Sequence, residues 1–205
     1  MEINLPKIRL GRSVLSDFGR AVQMEWIVAN GLGGYASSTV LGINTRKYHG
    51  LLVAAFNPPV DRRVLLTKLD EEVRVGNETY ATGSNEFKQG IQPKGYLFLS
   101  RFLLDPFPTY RYAMQGFQFQ KTIFMPYGKN ATIVIYEVFN PTKNKVSIRI
   151  LPLVNSRHFH SVTDKDKLNW GFIQKSFEQG VIIQPSISLS TLSILCTDGR
   201  YFVGR

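Results

Sequence analysis

The chain has 205 residues, 43% hydrophobic, 12% aromatic and 20% charged, a composition that excludes a disordered polymer and leaves room for a large core. Lys and Arg number 25 against 15 Asp and Glu, a formal net charge of +10. The basic residues are dispersed, with no run longer than the pairs Arg46-Lys47 and Arg62-Arg63, so a nucleic-acid partner is not expected.

Met1 to Leu10 mixes Glu2, Lys7 and Arg9 with a proline and does not form a secretory leader. No apolar stretch approaches the ~20 residues of a membrane helix, so a cytoplasmic location without a membrane partner is expected. Val14 to Met24 carries the one weak helical pattern. Beyond it the period is that of strands: Val64 to Val75, Tyr96 to Leu104, Tyr110 to Phe124, residues 131–140 and 145–154, Val181 to Gln184, and Leu189 to Val203. Turn signals separate them at Gly76-Asn77, Gln115-Gly116, Asn140-Pro141-Thr142-Lys143-Asn144, Gln179-Gly180 and Asp198-Gly199. The strands flanking Gly116 read as one hairpin, and those flanking the Asn140 to Asn144 turn as another. Ser161 to Lys167 reads as a long exposed loop. The single cysteine, Cys196, rules out an internal disulfide, and its alternation with Leu192 and Ile194 places it as a buried packing thiol. Without crossover helices these elements predict an all-β chain. The expected fold is one domain over 1–205, a large antiparallel sandwich of the supersandwich-like kind with little helix.

Gly31-Leu32-Gly33-Gly34-Tyr35-Ala36 matches a dinucleotide-binding pattern. That pattern requires a helix to begin here and an acidic residue about twenty positions on for the ribose. Ser37 to Gly42 is polar, β-branched and broken by glycine, and no Asp or Glu lies between Glu25 and Asp61. The Rossmann reading is set aside, and no cofactor is expected. Trp26, Tyr35 and Tyr48, with Asn30, Asn44, Arg46 and His49 around them, are instead the aromatic faces and planar polar groups that suit a sugar. The competing reading makes Trp26 and Tyr48 core residues and the glycines turn-formers.

Glycoside hydrolysis needs two carboxyl groups across a cleft. Asp70 and Glu72 share a strand face, with Glu71 on the other, but Asp70-Glu71-Glu72 reads more simply as a solvated strand end. His158 and His160 share a face without apparent further ligands, so no metal is expected.

Glu25-Trp26-Ile27-Val28-Ala29-Asn30-Gly31-Leu32-Gly33-Gly34-Tyr35-Ala36-Ser37 and Asn44-Thr45-Arg46-Lys47-Tyr48-His49-Gly50-Leu51-Leu52-Val53-Ala54 resemble the N-terminal domain of archaeal and bacterial glycogen-debranching enzymes of the amylo-α-1,6-glucosidase type. Pro58-Pro59-Val60, Leu65 to Glu71, Asp105 to Pro108, Lys121 to Met125 and Pro152 to Val154 continue that resemblance in order. It departs at His158, where the family more often has an acidic residue. The resemblance implies a β-sandwich followed by an (α/α)-barrel that holds the catalytic carboxylates, so the chain is expected to be the non-catalytic N-terminal part of a longer glycoside hydrolase. The partners so implied are an α-glucan (glycogen or maltooligosaccharide) and the barrel of the same polypeptide; whether the isolated domain pairs with a second copy through its barrel-facing surface is left open by the sequence. Trp26, Asn30, Tyr35, Asn44, Arg46, Tyr48, His49, Arg157 and His160 are the residues assigned to substrate or to the domain interface. An autonomous α-glucan-binding module is the alternative.

Overall fold

A computed structural model describes residues 7–164, 171–186 and 190–203. Its strands in chain order are β1 (Ile8–Gly11), β2 (Glu25–Ala29), β3 (Tyr35–Thr39), β4 (Gly50–Asn57), β5 (Asp61–Val75), β6 (Glu78–Ala81), β7 (Ser84–Phe87), β8 (Gly90–Lys94), β9 (Leu99–Leu104), β10 (Pro108–Met114), β11 (Phe117–Phe124), β12 (Ile133–Phe139), β13 (Val146–His158), β14 (Phe172–Phe177), β15 (Gly180–Pro185) and β16 (Leu192–Leu195). All of their pairings are antiparallel. One sheet runs β1-β9-β10-β11-β12; the other runs β13-β5-β4-β3-β2, with β6 also on β5. A three-stranded sheet β14-β15-β16 and the ribbon β7-β8 complete the described part. This is the all-β sandwich that the strand period predicts.

The two main sheets meet through their alternate residues. Phe117, Phe119 and Ile123 of β11 are buried while Gln118 is exposed, and the inward positions join Trp26, Leu52, Leu69 and Val73 of the facing sheet. Aromatic rings cross the first sheet's inner face in sequence. Phe102 meets Tyr110 at 5.1 Å between centroids, Tyr112 meets Phe119 at 5.8 Å, and Phe119 meets Tyr136 at 5.5 Å. Burying each such ring contributes roughly 1.5–3 kcal/mol.

Polar links also join the sheets. The Trp26 indole N–H donates to the Tyr110 hydroxyl (2.5 Å), which in turn donates to the Thr39 carbonyl (2.7 Å). Burial of this phenol raises its pKa far above the ordinary tyrosine value. Lys121, at an inward position of β11, reaches the carboxylate of Glu71 at 2.6 Å and the Leu69 carbonyl at 2.9 Å. Tyr136 donates to the same Glu71 oxygen at 2.7 Å, and Thr82 to the other at 3.1 Å.

Several expectations change here. Asp70-Glu71-Glu72 lies inside a fifteen-residue strand, three residues short of its end, and is not solvated as a group: Glu71 is 2% exposed. The β10–β11 hairpin forms as predicted, with Gly116 at φ 82° between Met114 and Phe117. The second predicted hairpin does not: β12 pairs with β11 and β13 pairs with β5, so the Asn140 to Asn144 turn carries the chain from one sheet to the other. Asn140 shapes that turn by accepting from the Thr142 amide (3.1 Å) and donating to the Asn144 carbonyl (2.7 Å).

The helix expected over Val14 to Met24 is two short ones, Arg12–Leu15 and Phe18–Ala21, because Asp17 stops the first and caps the second by accepting from the Arg20 amide. Tyr96 to Phe98 belongs to a 3-10 turn rather than to β9. Strand pairing after β15 stops at Leu195, so Cys196 falls beyond the alternation and is exposed, not buried. Ser161 to Asp164 are the described part of the loop expected there; 165–167 lie outside the described residues.

Candidate functional site

The predicted site residues separate into three places. The first is the β2–β3 hairpin tip. Asn30 is completely buried, and its side-chain carbonyl accepts from the amides of Leu32 (2.9 Å) and Gly34 (3.0 Å). Its amide group donates to the Lys129 carbonyl and to the Asn130 side chain, both at 3.0 Å. Asn130 in turn holds the Ala55 backbone through both of its polar groups. A Cβ on Gly34 would stand 2.6 Å from the Asn30 amide nitrogen and 2.9 Å from the Val53 carbonyl, so the chain packs here closer than any side chain allows. The glycines thus let the tip close against the 126–130 turn, and Asn30 is a scaffold residue.

The second place is between the sheets. Trp26 is 4% exposed, with its edge toward the Tyr110 ring, so neither face is free to stack on a sugar. Asn44 accepts from the Ser38 hydroxyl (2.8 Å) and donates to the Thr67 carbonyl (3.0 Å). Trp26 and Asn44 line a small cavity of about 30 Å³ that Leu51, Ile123, Lys68, Asp70, Glu71 and Lys121 also border. That volume holds about two waters and no glucosyl unit. Asp70 is engaged by Lys68 at 3.0 Å and by the Asn85 amide at 2.6 Å, as Glu71 is by Lys121. Asp70 and Glu71 are thus each paired within the fold, and Glu72, which shares a strand face with Asp70, meets Arg149 at 3.4 Å.

The third place gathers the remaining residues on the outer face of the larger sheet. Cross-strand partners share a face, and the register Tyr35↔Val53, Val53↔Val64, Val64↔Arg157 sets one row across four strands. A second row holds Ala55 and Arg62, with Phe159 donating its amide to the Arg62 carbonyl. The small residues Val53, Val64 and Ala55 form a buried floor. Tyr48 folds over it: its carbonyl accepts from the Tyr35 hydroxyl (2.9 Å), and its ring lies 5.7 Å from Phe159 and 5.6 Å from His160. The Tyr48 hydroxyl and His160 Nδ1 are 3.2 Å apart.

Arg157 staples the corner by donating to the carbonyls of Lys47 and Ser161. Its burial lowers its pKa from the ordinary value, opposed by the nearby Tyr35; burial raises that of Tyr35, against the pull of Arg62 and Arg157.

Behind this corner, Glu25 takes Arg46 at 2.6 Å and His49 Nε2 at 3.4 Å. His49 Nδ1 accepts from the Thr45 amide (3.1 Å), which assigns the proton to Nε2. Burial lowers the His49 pKa more than Glu25 raises it, so the ring is neutral at pH 7. Arg46 and His49 therefore brace the 44–49 loop that carries Tyr48.

Residue types single out Tyr35 and Tyr48, the family resemblance adds Arg157 and His160, and the fold brings the four together from three separate segments. Arg62 and Phe159 complete the same surface and escape sequence reasoning. Strand alternation from Val64 is the signal that places Arg62 on this face. His158 and His160 have ring centroids 5.4 Å apart, and no cluster of three or more metal-binding side chains occurs among the described residues.

The profile of the family described as Glycogen debranching enzyme N terminal matches residues 24–204. The chain belongs to that family. Curated proteins and solved structures each yield no match. The debranching-enzyme N-terminal domain thus covers every strand but β1, including all three places just described. No helix among the described residues is long and apolar enough to cross a membrane.

Proposed function

We propose that this debranching-enzyme N-terminal domain packs on a catalytic barrel of the same polypeptide and presents its Tyr48–His160 corner as one wall of the α-glucan site. The observation that carries this reading is the convergence of Tyr35, Tyr48, Arg157 and His160 on one accessible face, where Tyr48 and His160 meet across 112 positions of sequence. Aromatic rings beside an imidazole, on a corner that Arg157 holds in place, are the chemistry that receives sugar hydroxyls and C–H faces. The domain supplies recognition in this scheme, and the barrel supplies the acid and base for hydrolysis of an α-1,6 branch.

In the full-length enzyme, Tyr48→Ala and His160→Ala are expected to raise KM for a branched maltooligosaccharide several-fold, and His160→Ala, at an exposed position, to shift Tm by less than about 2 °C. Unchanged kinetics in both variants would remove the corner from the substrate site. An autonomous glucan-binding module has one observation in its favour: Tyr127, 88% exposed, lies against Gly31 with its ring open to solvent. That reading predicts that maltoheptaose perturbs Tyr127 resonances in the isolated chain, and not those of Tyr48.

A further inference from the structure

The cations around the Tyr48 corner are not equally neutralised. Arg46 is paired with Glu25 at 2.6 Å, and Arg63 lies 3.4 Å from Asp61. Arg157 spends its donors on backbone carbonyls, leaving its charge without a carboxylate partner among the described residues. Lys47 stands over the Tyr48 ring at 5.2 Å. Arg62 differs from all of these. Among the described residues its side chain makes no hydrogen bond and no ion pair. Its Nε is buried with no acceptor among the described residues, its guanidinium carbon stands 5.2 Å from the centre of the Phe159 ring, and its charge acts on the nearby Tyr35. A buried N–H without an acceptor is costly, and a guanidinium fork with free donors matches a tetrahedral oxyanion.

We propose that Arg62 is the receptor for a phosphate group on the outer face of the larger sheet, engaged through its Nε–Nη edge after a small turn off the Phe159 ring. Arg157 and Lys47 add uncompensated positive charge, which favours a dianion over a carboxylate. Tyr35 and Tyr48 offer hydroxyl and ring contacts to whatever the phosphate is esterified to. The site concerns charge and does not depend on neutral glucan binding at the same corner.

The test uses the full 205-residue chain. Inorganic phosphate, glucose 1-phosphate and uncharged maltotriose are titrated separately, followed by NMR shifts of arginine Nε–Hε and backbone amides. Saturable phosphate shifts centred on Arg62, Tyr35 and Tyr48 are expected. Affinity should fall about tenfold or more in Arg62→Gln, fall less in Arg62→Lys, which keeps charge without the fork, and hold within about twofold in Arg63→Gln. Tighter binding of glucose 1-phosphate than of phosphate would assign the ligand as an ester, and equal binding as the free ion; both support the receptor. Wild-type phosphate shifts that do not saturate, or that centre away from Arg62, overturn it even if Arg62→Gln fails to fold. Maltotriose binding without phosphate binding overturns it too, while leaving the glucan reading in place.

Discussion

Replacing Lys121 with Met should unfold this domain far more readily than its one lost positive charge suggests. Glu71 is 2% exposed and its carboxylate depends on Lys121 at 2.6 Å, with Tyr136 and Thr82 as further donors. Without the ammonium a carboxylate is left inside the sandwich, a loss of roughly 3–5 kcal/mol for a buried pair broken from one side. Unfolding entropy of ~2.1 cal/mol/K per residue over 205 residues is about 0.43 kcal/mol/K, so Tm should drop by about 7–12 °C. Adding Glu71→Gln removes the stranded charge while keeping an acceptor for the Tyr136 hydroxyl, and should recover at least half of the loss. Scanning calorimetry of the two single variants and the double variant closes the cycle. A Lys121→Met domain melting within about 2 °C of wild type, or a double variant no better than the single, would refute the account of Glu71 as a charge held by its partner.

Asn30→Ala removes four side-chain hydrogen bonds and strands the amides of Leu32 and Gly34. Urea denaturation should show a loss of about 2–4 kcal/mol, and a loss below about 1 kcal/mol would show that the tip does not need its asparagine. Burial holds the His49 pKa below 6.5, so as the pH falls the unfolded chain takes up a proton before the folded one does. Stability should therefore fall as the pH drops through about 6.5 and be recovered above it. His49→Gln should flatten that dependence between roughly pH 5 and 7.5, and equal slopes in the two proteins would contradict it.

The β10–β11 hairpin was legible because alternation and Gly116 mark the same local reversal. The turn at Asn140 to Asn144 is equally clear in sequence, yet turn chemistry reports only that the chain reverses. It does not report that the next strand joins β5 in the opposite sheet. Glu71 reads as a solvated charge because its partner Lys121 lies fifty residues away, a relation that no local pattern encodes. Cys196 was misplaced because alternation was extended past the point where pairing ends. Within the candidate site, residue types identified Tyr35 and Tyr48 and the family resemblance supplied Arg157 and His160, but only the pairing of β3, β4, β5 and β13, with the loops they carry, separates these from Trp26, Asn30 and Asn44.

The late arrival of β13 has a consequence for how the chain is made. β5 presents one long edge to β13, from Arg63 opposite His158 to Val75 opposite Val146. Positions 75 and 146 are 71 residues apart in synthesis order, and translation at ~5–20 residues/s leaves that edge open for about 4–14 s. Through that interval a fifteen-residue strand, with Val or Leu at six positions and charged residues at eight, offers unpaired N–H and C=O groups to any neighbouring nascent chain. Products truncated between Val75 and Val146 should collect in aggregates, and the strand that ends beside Phe159 is the one that makes the domain safe to release.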